Sequence, residues 1–223
     1  MNGPAPLQRP LIWVNCAISI DGRLAFARGA RARLSGPQDR TRVQHLRAES
    51  DAIVVGSGTI ALDDPSLTVH WEEIGRTVGR SPTRVVLDSR GTVPAGSRVL
   101  DGSAPTVIAT TDVNRRTYPP HVERIVSGTD RVDLSRLWNA LYERGMRRVL
   151  VEGGARVLAS IVASRAFDRL TVYVAPVLIG EGSSPPMIAG PAARGFEDLA
   201  RLRLLGVERS DDGYVASYEP GPP

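Results

Sequence analysis

Two alternating hydrophobic rhythms limit how this chain can fold. Short, nearly continuous apolar runs rich in β-branched residues occur at Leu11–Ile18, Asp51–Gly56, Thr83–Asp88, Thr106–Thr110, Arg148–Glu152 and Leu170–Ala175. Runs of this kind read as strands covered on both faces, as in a mostly parallel sheet. His121–Ser127 is a weaker candidate for one more strand. Helical patterns lie between them. Gly36–Glu49 carries Val43 and Leu46 on one face, with Ser35 as its expected N-cap. Leu134, Leu137, Trp138 and Leu141 recur at helical spacing, with Asp133 as cap and Gly145 as stop. Ala155–Ser164 is a third helix, opening directly after Gly153 and Gly154.

The tail changes character. Leu202–Arg209 and Tyr214–Glu219 flank Asp211, Asp212 and Gly213, a hairpin signal. The expected architecture is one α/β domain over residues 1–223: a mixed, mostly parallel sheet flanked by helices and closed by a C-terminal antiparallel hairpin. Residues 1–9 and 220–223 read as flexible tails, and Trp71–Pro82 and Gly180–Pro191 as loops long enough to be functional.

Composition narrows the chemistry. All 28 basic residues are arginine, set against 24 acidic ones. Without lysine there is no Walker-type phosphate loop and no Schiff base. The single cysteine, Cys16, excludes a four-cysteine zinc site, an intrachain disulfide framework and the paired cysteines of a zinc deaminase. It reads as an inert, small hydrophobe, and no metal site is expected. A pI near 9.8 raises the question of nucleic acid. The arginines are interleaved with acids, however, and aromatic residues make up only 5%, so the basic surface reads as solvated. The longest apolar stretches, Leu11–Ile20 and Leu170–Ile179, are about half a membrane span, and the first ten residues lack an export-type apolar core. A cytoplasmic protein without nucleic-acid or membrane partners is expected.

Two glycine clusters follow strands: Gly56-Ser57-Gly58-Thr59, and Gly153-Gly154. Ligands of open α/β sheets gather at the carboxyl ends of strands, and a glycine pair opening a helix lets backbone amides approach an anion. Neither cluster has the dinucleotide fingerprint spacing, and each alone reads as a plain turn. Their surroundings are more specific. Ser19-Ile20-Asp21-Gly22-Arg23 follows the first strand. Leu46-Arg47, Asp51-Ala52-Ile53, Val55-Gly56, Gly58-Thr59, Asp63-Asp64-Pro65 and Leu67-Thr68-Val69 come next. Val86-Leu87-Asp88-Ser89, Leu150-Val151-Glu152-Gly153-Gly154, Tyr173 and Ala175-Pro176 complete the series.

In this order and spacing the sequence resembles the pyrimidine reductases of riboflavin biosynthesis, from about Pro10 to Ile188, with Leu46–Val69 the most specific part. The likeness is closer to stand-alone, archaeal-type 2,5-diamino-6-ribosylamino-pyrimidinone 5′-phosphate reductases than to deaminase-fused ones. It implies a dihydrofolate-reductase-like fold, NADPH as cofactor and a homodimer. It also implies hydride transfer to C1′, turning a ribosylamino group into a ribitylamino group on the diamino substrate before deamination. Such chemistry needs no protein nucleophile, metal or lysine. The protein must position the nicotinamide against C1′ and exclude water.

By position, the resemblance assigns cofactor contacts to Ala17, Thr59, Asp63 and the turn Gly153, Gly154, Ala155, Arg156 and Val157. Ser89 and Arg90, ending the third strand, suit a 2′-phosphate. Substrate contacts fall on Asn15, Arg47, Leu67, His70 and Glu152, with Arg47 expected to hold the 5′-phosphate. Several have a plainer reading: Thr59 and Asp63 as turn caps, Arg47 paired with Glu49 or Asp51, Glu152 paired with Arg148 or Arg169, His70 solvated. Glu152, Asp63 and water are candidate proton donors, and no residue is assigned to catalysis. The sequence departs from many deaminase-fused relatives at Asn15 (lysine there), Arg31 (serine), Arg33-Leu34-Ser35 (Trp-Ile-Thr) and His70 (arginine). The alternatives are a pterin- or dihydrofolate-type reductase on the same scaffold, and a non-catalytic NADPH-binding module.

Overall fold

In the computed structural model, which describes residues 8–26, 32–180, 182–191 and 193–222, the apolar runs pair into one nine-stranded sheet. The strands are β1 (Leu11–Ser19), β2 (Ala52–Gly56), β3 (Thr83–Leu87), β4 (Thr106–Thr110), β5 (Val122–Val126), β6 (Arg148–Gly153), β7 (Arg169–Ala175), β8 (Leu202–Ser210) and β9 (Gly213–Pro220). The helices are α1 (Pro37–Ala48), α2 (Ser57–Asp63), α3 (Leu134–Glu143) and α4 (Ala155–Ser164). The strand order is β5-β4-β3-β2-β6-β1-β7-β9-β8. Pairing is parallel from β5 through β7 and antiparallel for β7–β9 and β8–β9.

The apolar runs are nearly continuous because both faces of the parallel part are covered. On one face Ile12, Val14, Val54 and Val151 pack against Leu137, Trp138 and Leu141 of α3 and Leu158 and Ile161 of α4. On the other, Ile53, Val55, Val86 and Leu150 pack with Leu46 of α1, Ile60 of α2 and Leu67. Asp133 caps α3 as expected, accepting from the Arg136 amide at 3.1 Å. No helix among the described residues is long and apolar enough to cross a membrane.

Two local expectations are corrected. Gly56-Ser57-Gly58-Thr59, which alone reads as a plain turn, instead leads into the helical segment Ser57–Asp63, whose Ile60 docks into the core. Ser35 is not the cap of α1. The cap position is Gly36, Pro37 opens the helix, and no side chain within the segment caps it. The amides of Gln38 and Asp39 instead donate to the carboxylate of Asp211, in the β8–β9 turn, at 3.1 to 3.2 Å. A Cβ on Gly36 would lie 2.3 Å from Asp211 Oδ2, so the glycine admits this approach.

Candidate active site

Most of the candidate residues lie at or just beyond the carboxyl ends of β1, β2, β3 and β6, on the edge where open α/β sheets bind ligands. The centre of this edge is the end of β6. Val54 of β2 pairs with Val151, but Val55 pairs with Gly153, so Glu152 is the extra residue of a β-bulge. Bulges re-aim a side chain. Here the Glu152 carboxylate meets Arg47 of α1 in a bidentate pair, Nε to Oε1 and Nη2 to Oε2, both at 2.6 Å. Arg47 Nη1 donates to the Thr68 carbonyl at 3.0 Å. The side chains are 14% and 12% exposed, so the pair is largely desolvated. Burial pulls the Arg47 guanidinium down, but the charge and hydrogen bonds of Glu152 outweigh it and leave its pKa raised.

This geometry joins two expected substrate residues to each other. Arg47 is not paired with Glu49 or Asp51, nor Glu152 with Arg148 or Arg169. The fork expected to take a phosphate is occupied by Glu152, so an anion reaching Arg47 would have to share or displace that carboxylate. Both Glu152 oxygens are acceptors to Arg47, which disfavours it as a proton donor.

Gly153 and Gly154 follow with φ of +108° and +90°, values that side chains rarely adopt. A Cβ on Gly154 would lie 3.0 Å from Thr59 Oγ1, so the β6–α4 and β2–α2 junctions abut. Gly154, at the cap position of α4, brings no side-chain cap of its own, and the first amides of a helix are suited to an anion. These features fit a dinucleotide's phosphates. Asp63 ends α2, half-buried, and Ala17 lies half-buried on β1. Ala155 is half-buried and Arg156 exposed in the first turn of α4, while Val157 turns into the core. The Val157 side chain packs against Gly56, where a Cβ would lie 2.9 Å from Val157 Cγ2.

At the end of β3, Asp88 is fully buried and committed. Its Oδ1 accepts from the Thr92 amide at 2.8 Å and hydroxyl at 2.9 Å, and its Oδ2 from the Val93 amide at 2.9 Å. It is therefore not presented to a ribose. Ser89 accepts from the Val132 amide at 3.2 Å, and Arg90 is exposed beside it. Strands lie about 4.8 Å apart, so the edge from β3 to β1 spans roughly 14 Å, enough for an extended dinucleotide.

Asn15 is buried in mid-β1, and its Oδ1 accepts from Arg42 Nη2 and Thr171 Oγ1, both at 2.8 Å. Local sequence reasoning passes over Arg42, on the polar helix α1, and Thr171; for Thr171 the available signal is a polar residue interrupting an apolar run, as Asn15 does in β1. Leu67 is 1% exposed with φ +52°, so its side chain belongs to the core and only its backbone can face a ligand. His70 is exposed, with Nδ1 3.4 Å from Glu72, acidic surroundings that disfavour a phosphate. Arg33 is exposed, and Arg31 lies outside the described residues. The Ser19–Arg23 motif folds the exit of β1: Asp21 accepts from the Ser19 hydroxyl at 2.6 Å and from the Ile179 and Gly180 amides at 3.0 and 2.7 Å. Led by the Ser19 bond, these contacts hold Asp21 at a pKa of about 2. Burial pushes the Cys16 thiol up to about 12, consistent with an inert residue.

A mostly parallel sheet closed by an antiparallel hairpin, with its candidate cleft at the strand ends, is a dihydrofolate-reductase-like architecture. The dihydrofolate reductase structure from Enterococcus faecalis matches it with a TM-score of 0.52 at 13% identity, over 95% of this chain and 97% of that one. Residues 10–216 match the RibD C-terminal domain family, and the chain belongs to that family. Among its relatives are proteins named 2,5-diamino-6-ribosylamino-4(3H)-pyrimidinone 5′-phosphate reductase. That of Archaeoglobus fulgidus is 34% identical over 94% of this chain and 97% of its own length. That of Methanothermobacter thermautotrophicus is 36% identical over 94% and 98%. The structure of a Thermotoga maritima diaminohydroxyphosphoribosylaminopyrimidine deaminase/5-amino-6-(5-phosphoribosylamino)uracil reductase matches with a TM-score of 0.81 at 27% identity. That match covers 96% of this chain but 57% of the Thermotoga chain.

Proposed function

We propose that the chain is an NADPH-dependent reductase that converts the ribosylamino group of 2,5-diamino-6-ribosylamino-4(3H)-pyrimidinone 5′-phosphate into a ribitylamino group, the substrate its archaeal relatives are named for. One observation carries the reading: Glu152, Gly153 and Gly154 are consecutive, so one strand end offers an anchored carboxylate and a helix N-terminus suited to an anion side by side. When bound, the nicotinamide supplies the hydride taken up by C1′. Gly153, Gly154 and the first turn of α4 hold the phosphates, with Thr59 and Asp63 across the cleft. Ser89 and Arg90 receive a 2′-phosphate, a role supported by the burial of Asp88. Each Glu152 oxygen keeps a second lone pair for an amino hydrogen of the pyrimidine, while Arg47 fixes its orientation.

A cytoplasmic homodimer completes the proposal. β8 is an edge strand that exposes Leu202, Leu204 and Val207, the kind of surface a second copy covers. Sedimentation is expected to give a dimer, and a monomer at micromolar concentration would refute that part. The reaction is tested by following NADPH oxidation with the diamino substrate, its deaminated form and dihydrofolate, with NADH in parallel. Turnover of the diamino compound with NADPH is expected. Turnover of dihydrofolate alone would assign a pterin-type reductase, and NADPH binding with no turnover a non-catalytic module.

A further inference from the structure

Level with Glu152 on β6 are Asn15 on β1 and Thr171 on β7, because Val14 pairs with Val151 and Asn15 with Thr171. This row faces α1, which brings Arg47 to Glu152 and Arg42 to Asn15. Arg42 is itself anchored: its Nε and Nη2 donate to Oδ1 of Asp39 at 2.9 and 2.7 Å, and Asp39 is 1% exposed. The two hydrogens of Nη2 are thereby divided, one to Asp39 and one to Asn15 Oδ1 at 2.8 Å.

These contacts settle which way the Asn15 amide points. A guanidinium only donates, so the atom facing Arg42 must be the amide oxygen. On the other side the Trp13 indole, also an obligate donor, gives its hydrogen to Thr171 Oγ1 at 3.1 Å. The hydroxyl hydrogen of Thr171 has two acceptors in reach, Asn15 Oδ1 at 2.8 Å and the Val14 carbonyl at 3.4 Å, and the shorter bond goes to Asn15. Both lone pairs of the oxygen are used. The Nδ2 group is turned away from both partners and has no acceptor among the described residues. Asn15 is only 6% exposed, too little for bulk solvent to stand in for a fixed acceptor.

We propose that Arg42, backed by Asp39 and Thr171, is a positioning residue that locks the Asn15 amide so that its Nδ2–H is offered to a hydrogen-bond acceptor of the bound heterocycle, a ring nitrogen or carbonyl oxygen. The identity of that ligand rests on the reductase reading above; the locking does not. Glu152 and Asn15 then form a complementary pair, the first accepting from amino groups and the second donating to an acceptor. Such a pair recognises the hydrogen-bonding edge of a pyrimidine.

Three variants test this. Asn15→Asp keeps the acceptor for Arg42 and Thr171 but removes the offered N–H. It is expected to raise KM for the pyrimidine phosphate about 3- to 10-fold, the worth of one hydrogen bond, without lowering the melting temperature or changing KM for NADPH. Arg42→Gln is expected to raise the same KM by a similar factor, with Arg42→Lys recovering most of it. Unchanged pyrimidine KM in Asn15→Asp, or a parallel rise in both KM values in Arg42→Gln, would overturn the proposal. The side-chain amide resonances of Asn15 in the free protein give a readout independent of turnover, with Asn15→Asp used for assignment. Arg42→Gln should shift and broaden them, and resonances identical to wild type would refute the lock. If wild-type protein turns over no pyrimidine, the reductase reading fails while these resonances still decide the role of Arg42.

Discussion

Replacing Arg47 with methionine should be among the most damaging single changes near the cleft. It removes two 2.6 Å charge-assisted bonds to Glu152 and the 3.0 Å bond to the Thr68 carbonyl. What remains is a carboxylate 12% exposed with no cation against it. Opposite charges about 4 Å apart interact by about 4 kcal/mol at an effective dielectric of 20. Breaking a buried pair from one side typically costs about 3–5 kcal/mol, so the two estimates agree. Glu152→Met should cost a similar amount by stranding the guanidinium. Arg47→Met with Glu152→Met, which removes both charges, should cost less than either single change. Equilibrium urea unfolding of the four proteins at neutral pH gives the coupling energy, expected at about 3 kcal/mol. A cost below about 1 kcal/mol for Arg47→Met, with additive effects, would mean that the pair is screened like a surface ion pair. The reasoning would then fail, and Arg47 would be open to a phosphate, as its sequence position suggested.

Gly154→Ala, with φ +90° and a Cβ 3.0 Å from Thr59 Oγ1, should weaken NADPH binding more than Gly180→Ala, where φ is +86° and nothing lies within 4 Å. Equal affinities by fluorescence titration would remove the turn from the cofactor site. Burial opposes ionisation of Asp101, but Ser103 and the buried Arg84 outweigh it and hold its pKa at about 2, from 3.8. The stabilisation is therefore full above pH 3.8 and is lost as pH falls through about 2. Because Asp101 is 43% exposed, Asp101→Asn should cost up to about 1 kcal/mol at pH 6. That deficit should close on acidification, and a pH-independent deficit would contradict the assignment. Asp211→Ala should cost about 1 kcal/mol by uncapping α1, with faster hydrogen exchange at Gln38 and Asp39. Unchanged exchange there would refute the capping role.

What the sequence reveals and what it conceals divide along a physical line. Strands and their burial are written locally, in runs such as Ala52–Gly56 that are apolar because helices cover both faces. The Asp211–Gly213 turn is local chemistry too. Pairings across the chain are not. The cap of α1 comes from a residue 172 or 173 positions away, and the partner of Arg47 from 105. Each replaces a nearby partner, Ser35 or Glu49, that local reasoning prefers. The bulge at Glu152 depends on the register of β2 against β6, which no single run encodes. Asn15 and Thr171 are intermediate cases: each is a polar residue inside an apolar strand, legible as an anomaly. Their meaning appears only when parallel register sets them side by side under α1. A polar residue that interrupts a doubly covered strand must find partners within the fold, because solvent cannot supply them. Asn15 finds two for its oxygen and leaves its nitrogen over, and that remainder is where binding specificity can be built.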